Sequence, residues 1–157
     1  MAAEVGKPAP DFSLYDESKN KFVLSDKRGH RVLLLFFPLA FTSTCTAELC
    51  SVRDNLKIYE QLSVKPFGIS VDSLHSLKIF KDNQRLNFPL LSDFNKEVST
   101  LYGTIYNTFS YRMKGVSKRS AFLIDEQGII QYAEVLENAS LQPDFEAILV
   151  KLRARGG

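Results

Sequence analysis

Hydrophobic and polar positions change rhythm several times along this chain, and each change marks an element. "FSLYDESKNKFVL" (residues 12–24) sets two short β-rich pieces around the polar turn "DESKNK", which predicts a hairpin-like entry. "RVLLLFF" (31–37) is apolar without alternation, as expected of a central strand covered on both faces, and Pro38 ends it. From about Thr44 to Gln61, Leu49, Val52, Leu56 and Tyr59 recur at intervals of three and four. That is a helical period, and Thr42, Ser43 or Thr44 can cap its start. "PFGISV" (66–71) reads as a second buried strand, and "SLHSLKIFKDNQRL" (73–86) as a helix carrying Leu74, Leu77 and Phe80. "FPLLSD" (88–93) is a third extended piece, and a brief helix follows over "NKEVSTLYG". "SAFLID" and "IIQYAEV", joined by "EQG" (126–128), predict a second hairpin, and residues 142–153, with Phe145, Ile148, Leu149 and Leu152 on one face, a closing helix.

Strand, helix, strand, helix, strand, then an antiparallel hairpin and a last helix is an α/β order with a parallel half and an antiparallel half in one sheet. It is the order of a thioredoxin-like fold: a central mixed sheet flanked by helices, here preceded by an N-terminal β-hairpin. No repeat, low-complexity segment or Pro/Gly/Ser-rich linker divides the chain, so residues 1–157 are expected to form one domain. In this order the stretch "PLAFTSTCTAELC" (38–50) falls where the first long strand hands over to its helix. That is the carboxyl edge of the sheet, where open α/β sheets bind their ligands.

Composition narrows the function. With 45% hydrophobic and 24% charged residues the chain has the make-up of an ordinary globule, large enough to be stable without disulfide staples. Its formal charge is +2, and basic residues are interspersed with acidic ones except in the short tail "KLRARGG", so no stripe suited to nucleic acid is present. The start "MAAEVGKPAPDFSLYD" has no basic segment followed by a long apolar one, and no stretch is long enough to cross a bilayer. No membrane partner is expected, and a reducing, cytoplasmic setting is the simplest reading. There, two close thiols are more often catalytic, redox-active or metal-binding than structural.

Both cysteines, Cys45 and Cys50, lie in that one stretch. Cys45 falls near the first turn of the predicted helix, where unpaired N–H groups and the positive end of the macrodipole favour a thiolate, the nucleophilic form. A zinc site would need more ligands, and His30 and His75 stand at no ligand-like spacing from the thiols, so neither a metal nor another cofactor is expected. The C-x4-C spacing is not the C-x-x-C of a dithiol exchange motif. On one α-helix five positions give about 7.5 Å of rise and about 140° of rotation, with Cα atoms roughly 8–9 Å apart. That is beyond the ~7 Å a disulfide tolerates, so a Cys45–Cys50 bond requires the helix start to unwind.

"PLAFTSTC" fits P-x-x-x-T-x-x-C and resembles the active-site signature of the peroxiredoxins, thiol peroxidases of the AhpC/TSA family on a thioredoxin-like fold. "GKPAPDFSL", "FPLLSD" with "EVSTLYG", and "RSAFLIDEQGII" carry the resemblance along nearly the whole chain. "PLAFT" is similar to the alkyl hydroperoxide reductase E-like branch, often one-cysteine, and "CTAELC" to the Q-type (bacterioferritin comigratory protein) branch, whose resolving cysteine can lie five residues after the peroxidatic one. The resemblance implies that Cys45 attacks a peroxide and becomes a sulfenic acid. It implies that Arg119 supplies charged donors, that the Thr42 hydroxyl handles the peroxide's proton, and that Pro38 walls the pocket. It offers Cys50 as the resolving thiol, recycled by a thioredoxin-like reductant, in preference to a packing role that would leave a one-cysteine enzyme using an external low-molecular-weight thiol. Glu48 either orients an arginine or lies on a solvated helix face.

Phe41, Phe109, Tyr111 and Met113 are candidates for an apolar rim or a subunit contact, and ordinary core packing is the competing reading for each. The family contains monomers and dimers, and the aromatic run "YGTIYNTFSYRM" favours a homodimer. Two other classes remain to be separated by assay: a thioredoxin-fold holdase without turnover, and a general dithiol–disulfide oxidoreductase.

Overall fold

The computed structural model describes residues 3–154, apart from the Cys45 side chain. Strands β1 (Ser13–Asp16) and β2 (Lys21–Val23) form the expected entry hairpin. β3 (Arg31–Phe36), β4 (Val64–Ser70) and β5 (Leu90–Ser92) follow, then β6 (Arg119–Ile124) and β7 (Ile130–Leu136). They make one seven-stranded sheet in the order β2-β1-β5-β4-β3-β6-β7. The β3–β4 and β4–β5 pairs are parallel and the remaining pairs antiparallel, so the mixed sheet of a thioredoxin-like α/β fold is in place. The entry hairpin extends it by pairing β1 with β5.

All six residues of β3 are buried, which accounts for the unbroken apolar run. Leu33 and Leu35, with Phe37 beyond the strand end, face one core, and Val32, Leu34 and Phe36 face another. The first core is closed by α1 (Ser43–Asp54), α2 (Leu56–Gln61), α3 (Leu74–Gln84) and α5 (Phe145–Ala154) through Leu49, Val52, Tyr59, Leu77, Phe80, Ile148 and Leu152. The second is closed by Phe12, Phe22 and Leu24, by Val98 of α4 (Glu97–Leu101), and by Tyr102. Because the pleat sends successive side chains to opposite faces, β3 had to be apolar at every position after Arg31.

The single helix expected over residues 44–61 is two, broken at Asn55. The Asn55 side chain donates to Ser51 O at 2.8 Å, so the residue satisfies the end of α1 and starts the chain in a new direction. Hydrophobic spacing carries across such a break unchanged, because both pieces bury the same side. Ser73 caps α3 by accepting from Ser76 N at 3.1 Å, and the left-handed Arg85 ends it. No helix among the described residues is long and apolar enough to cross a membrane.

Candidate active site

β3 ends at Phe36 beside β4 and β6, and the chain leaves the sheet through Phe37 and a buried Pro38. The loop that follows is tied down by Asp72, just past the end of β4. Its Oδ2 accepts from Ala40 N at 2.8 Å and from the Ser70 hydroxyl at 2.6 Å. Sequence reasoning passed over Asp72 and Ser70, because an acidic residue after a strand carries no signal of the loop it will meet. Phe41 then takes a left-handed φ of 70°, a costly conformation for a bulky residue, and turns the chain into α1.

Thr42 is the N-cap of α1 by position, yet its hydroxyl does not cap the helix. It donates instead to Leu39 O at 3.0 Å. No side chain serves the first turn at that position, and Cys45 is the third residue of the helix. The opening N–H groups and the dipole end are therefore available to an anion, the environment that favours a thiolate and a departing oxygen.

Arg119 opens β6, the strand beside β3, and is 2% exposed. An arginine at the end of a strand is ordinarily solvated. Burial here is compensated by a fixed set of acceptors. Its Nη1 donates to Glu48 Oε1 at 2.8 Å, and Nε and Nη2 donate to Ala139 O at 3.3 and 2.9 Å. Glu48 is itself fully buried, so the solvated-face reading is overturned: one turn beyond Cys45, α1 points this carboxylate into the protein toward β6. Burial pushes the Glu48 carboxyl up to about 7, against the pull of the Arg119 charge and hydrogen bond. Its second oxygen, Oε2, has no hydrogen-bond partner among the described residues.

Pro38, Leu39, Thr42, Ser43 and Thr44 form one wall of a cleft of about 320 Å³, and Phe109, Ser110, Tyr111, Met113, Arg119, Ala139 and Ser140 form the rest. Three of the expected site residues, Pro38, Thr42 and Arg119, thus meet in one hollow at the start of the helix that carries Cys45. Glu48 lies behind it, on Arg119. Of the four rim candidates, Phe109, Tyr111 and Met113 line the cleft. Phe41 does not line it: its ring packs edge-on against Phe80 of α3, with centroids 5.1 Å apart, and half of the residue remains exposed.

Cys50, on the same helix, is half-buried against the first core and away from the cleft lining. Its thiol donates to Gln84 Oε1 at 3.6 Å. His30 and His75 are both exposed.

A mixed thioredoxin-like sheet, with a cysteine in the first turn of the helix after the central strand and a threonine, a proline and a buried arginine lining the cleft at the start of that helix, is an arrangement suited to thiol chemistry. The model of the AhpC/TSA family matches residues 5–133. Alkyl hydroperoxide reductase E of Mycobacterium tuberculosis is 40% identical over 134 residues, 83% of this chain and 84% of that protein. Among solved structures, peroxidoxin BcpB of M. tuberculosis superposes with a TM-score of 0.86 at 29% identity, covering 97% of each chain. A cysteine-to-serine variant of PrxQ of Xylella fastidiosa gives 0.88 at 25% identity, covering 100% of this chain and 99% of that one. The chain belongs to the AhpC/TSA family: it is a peroxiredoxin, a thiol-dependent peroxidase.

Proposed function

We propose that Cys45 is the peroxidatic residue, acting on hydrogen peroxide and organic hydroperoxides, and that the whole chain, residues 1–157, works as one domain. The observation that carries this reading is the meeting of Pro38, Thr42 and Arg119 in the cleft at the first turn of the Cys45 helix. The Cys45 thiolate forms an S–O bond to one peroxide oxygen as the O–O bond breaks. Sulfur is oxidised by two electrons to a sulfenic acid, and the other oxygen leaves as water or an alcohol after taking a proton. Arg119 and the helix N–H groups stabilise the charge that develops on the leaving oxygen, donors fixed in advance and partly shielded from water. Thr42 hands over the peroxide's proton, and Pro38 keeps bulk water from the thiolate. Glu48 holds the Arg119 guanidinium in place.

Cys50 resolves the sulfenic acid. Its sulfur bonds to that of Cys45 and hydroxide leaves as water with the Cys50 proton; a thioredoxin-like dithiol then reduces the disulfide by exchange. Both cysteines lie on α1, so the bond forms only when the start of that helix unwinds. The cytoplasm, with its reducing thiols, is the setting this cycle needs. The exposed Tyr111 and Met113 beside the cleft make that face the contact of a homodimer.

Intact mass and free-thiol count after one equivalent of hydrogen peroxide test the reading, on the parent and on Cys45→Ser and Cys50→Ser. The parent loses both thiols and the mass of two hydrogens, Cys50→Ser gains one oxygen, and Cys45→Ser is inert. If the parent gains only oxygen, Cys50 is a bystander and an external small thiol completes a one-cysteine cycle. No reaction in any of the three refutes Cys45 as the nucleophile.

A further inference from the structure

Helix α1 is held very differently at its two ends. At the start, Thr42 and Ser43 are exposed, no side chain caps the N-cap position, and the turn into the helix rests on the left-handed Phe41. Toward the end, Leu49 and Val52 are fully buried and three links run to the end of α3 and the loop after it. The Cys50 thiol donates to the Gln84 side chain, the Arg53 guanidinium donates to the Gln84 main-chain carbonyl, and the Asn87 amide donates to Arg53 O at 3.2 Å.

We propose that Gln84 is the positioning residue of the resolving step: its amide seats the Cys50 thiol between α1 and α3, and Cys45 is brought to it. The inference rests on the resolving role given to Cys50 above. The half of α1 that holds Cys50 is packed and tied, so the turn that gives way is the one that holds Cys45. A thiol donating to Gln84 turns its proton toward α3. The sulfur lone pairs are then left for the sulfenic sulfur arriving from the other side. Gln84 takes no proton in the step; the thiol proton leaves with the departing hydroxide as water. Without the acceptor, the Cys50 side chain is free to rotate and is aligned for attack less of the time.

Gln84→Leu removes the acceptor while leaving the main-chain carbonyl that receives Arg53, so the tie between the helices survives. Gln84→Glu keeps an acceptor oxygen. The experiment mixes reduced protein with one equivalent of hydrogen peroxide. It is quenched at intervals with a thiol alkylator and a sulfenic-acid trap, and the sulfenic and disulfide species are counted by intact mass. In Gln84→Leu, sulfenic acid forms at the parent rate, disulfide formation slows about threefold to tenfold, the weight of one hydrogen bond, and excess peroxide drives more Cys45 to sulfinic acid. Gln84→Glu restores disulfide formation to near the parent rate. A Gln84→Leu protein that resolves as fast as the parent, or faster, overturns the proposal while leaving Cys50 as resolving thiol. So does a Gln84→Glu protein as slow as Gln84→Leu. A parent that forms no disulfide overturns the resolving role itself, and the seat with it.

Discussion

Replacing Glu48 by Gln gives a direct reading of the buried ion pair behind the cleft. At about 1.4 kcal/mol per tenfold change in proton affinity, a carboxyl held at about 7 instead of its ordinary 4.5 is about 3 kcal/mol harder to ionise in the fold than in the unfolded chain. Below pH 4.5 both states keep the proton, and the group does not tilt the balance. Between 4.5 and about 7 the unfolded chain releases its proton while the fold retains it, so stability falls as pH rises. Above about 7 both are ionised and the whole loss is present. Glutamine keeps an oxygen to accept from Arg119 but does not titrate. The variant should therefore match the parent near pH 4.5 and exceed it by about 3 kcal/mol at pH 8, or about 6–12 °C in Tm for a chain of this size. Urea unfolding from pH 4.5 to 8 measures this, with Cys45→Ser in both proteins to remove the thiol's own titration. Stability curves that run parallel across that range would show that the Glu48 proton is not held by burial, and the reasoning would fail.

Three further substitutions test the frame around the site, each by chemical denaturation. Arg31 is 3% exposed and donates to Leu152 O and to Leu62 O, serving the carboxyl ends of α5 and α2 with one cation. Arg31→Met should cost about 2–4 kcal/mol, two charged hydrogen bonds less the desolvation recovered, and an unchanged midpoint would remove that role. A Cβ at Gly68 would stand 2.7 Å from Leu90 Cδ2 and 3.2 Å from Phe37 Cε1, so Gly68→Ala should destabilise by about 1–3 kcal/mol; a neutral result would mean that β5 gives way freely. Asp93 accepts from Val98 N at 3.0 Å and from Ser99 N at 2.7 Å, and Asp93→Ala should cost about 2–4 kcal/mol by leaving both buried donors unpaired. A loss under about 0.5 kcal/mol would show that water replaces the carboxylate.

Legibility from sequence followed the range of the interaction. β3 could be read because burial on both faces leaves a local mark, the five apolar residues Val32 to Phe36 in a row. The α1–α2 break could not, since Asn55 acts through a single side-chain bond to Ser51 O that hydrophobic spacing does not register. Pro38, Thr42 and Cys45 were found through a motif within eight residues of chain. Arg119 was found only through the motif around it, for nothing in its own chemistry announces a buried guanidinium. Its partners explain why: Glu48 is 71 residues away and Ala139 is 20 residues away. The supports of the loop, Ser70 and Asp72, and the seat of Cys50 on Gln84 are equally non-local, and no spacing rule reaches them.

The angular arithmetic of one helix joins these parts. Residue 48 lies one turn on from residue 45, about 60° round the axis, whereas residue 50 lies about 140° round. The Glu48 position therefore looks toward β6 and its arginine, and the Cys50 position toward α3 and its glutamine, as the two hydrogen bonds record. A resolving cysteine at position 48 or 49 would have displaced Glu48 or Leu49, the one facing Arg119 and the other fully buried in the first core. Position 50 leaves both intact, at the cost of putting the two thiols too far apart to join on an unbroken helix. A loosely held first turn on a tightly held second half answers that constraint, because unwinding the turn that begins at the exposed Thr42 and Ser43 leaves Leu49, Val52 and the Cys50 seat in place. Stapling that turn from outside tests the coupling. A variant with Ser43 and Ala47, both exposed and one turn apart, changed to Glu and Lys gains about 0.3–0.5 kcal/mol of helix. It should slow disulfide formation about twofold relative to the reversed pair, Lys at 43 and Glu at 47, with sulfenic acid formation compared in the same quench series. Equal resolving rates for the two orientations would place the rate-limiting motion elsewhere in the chain.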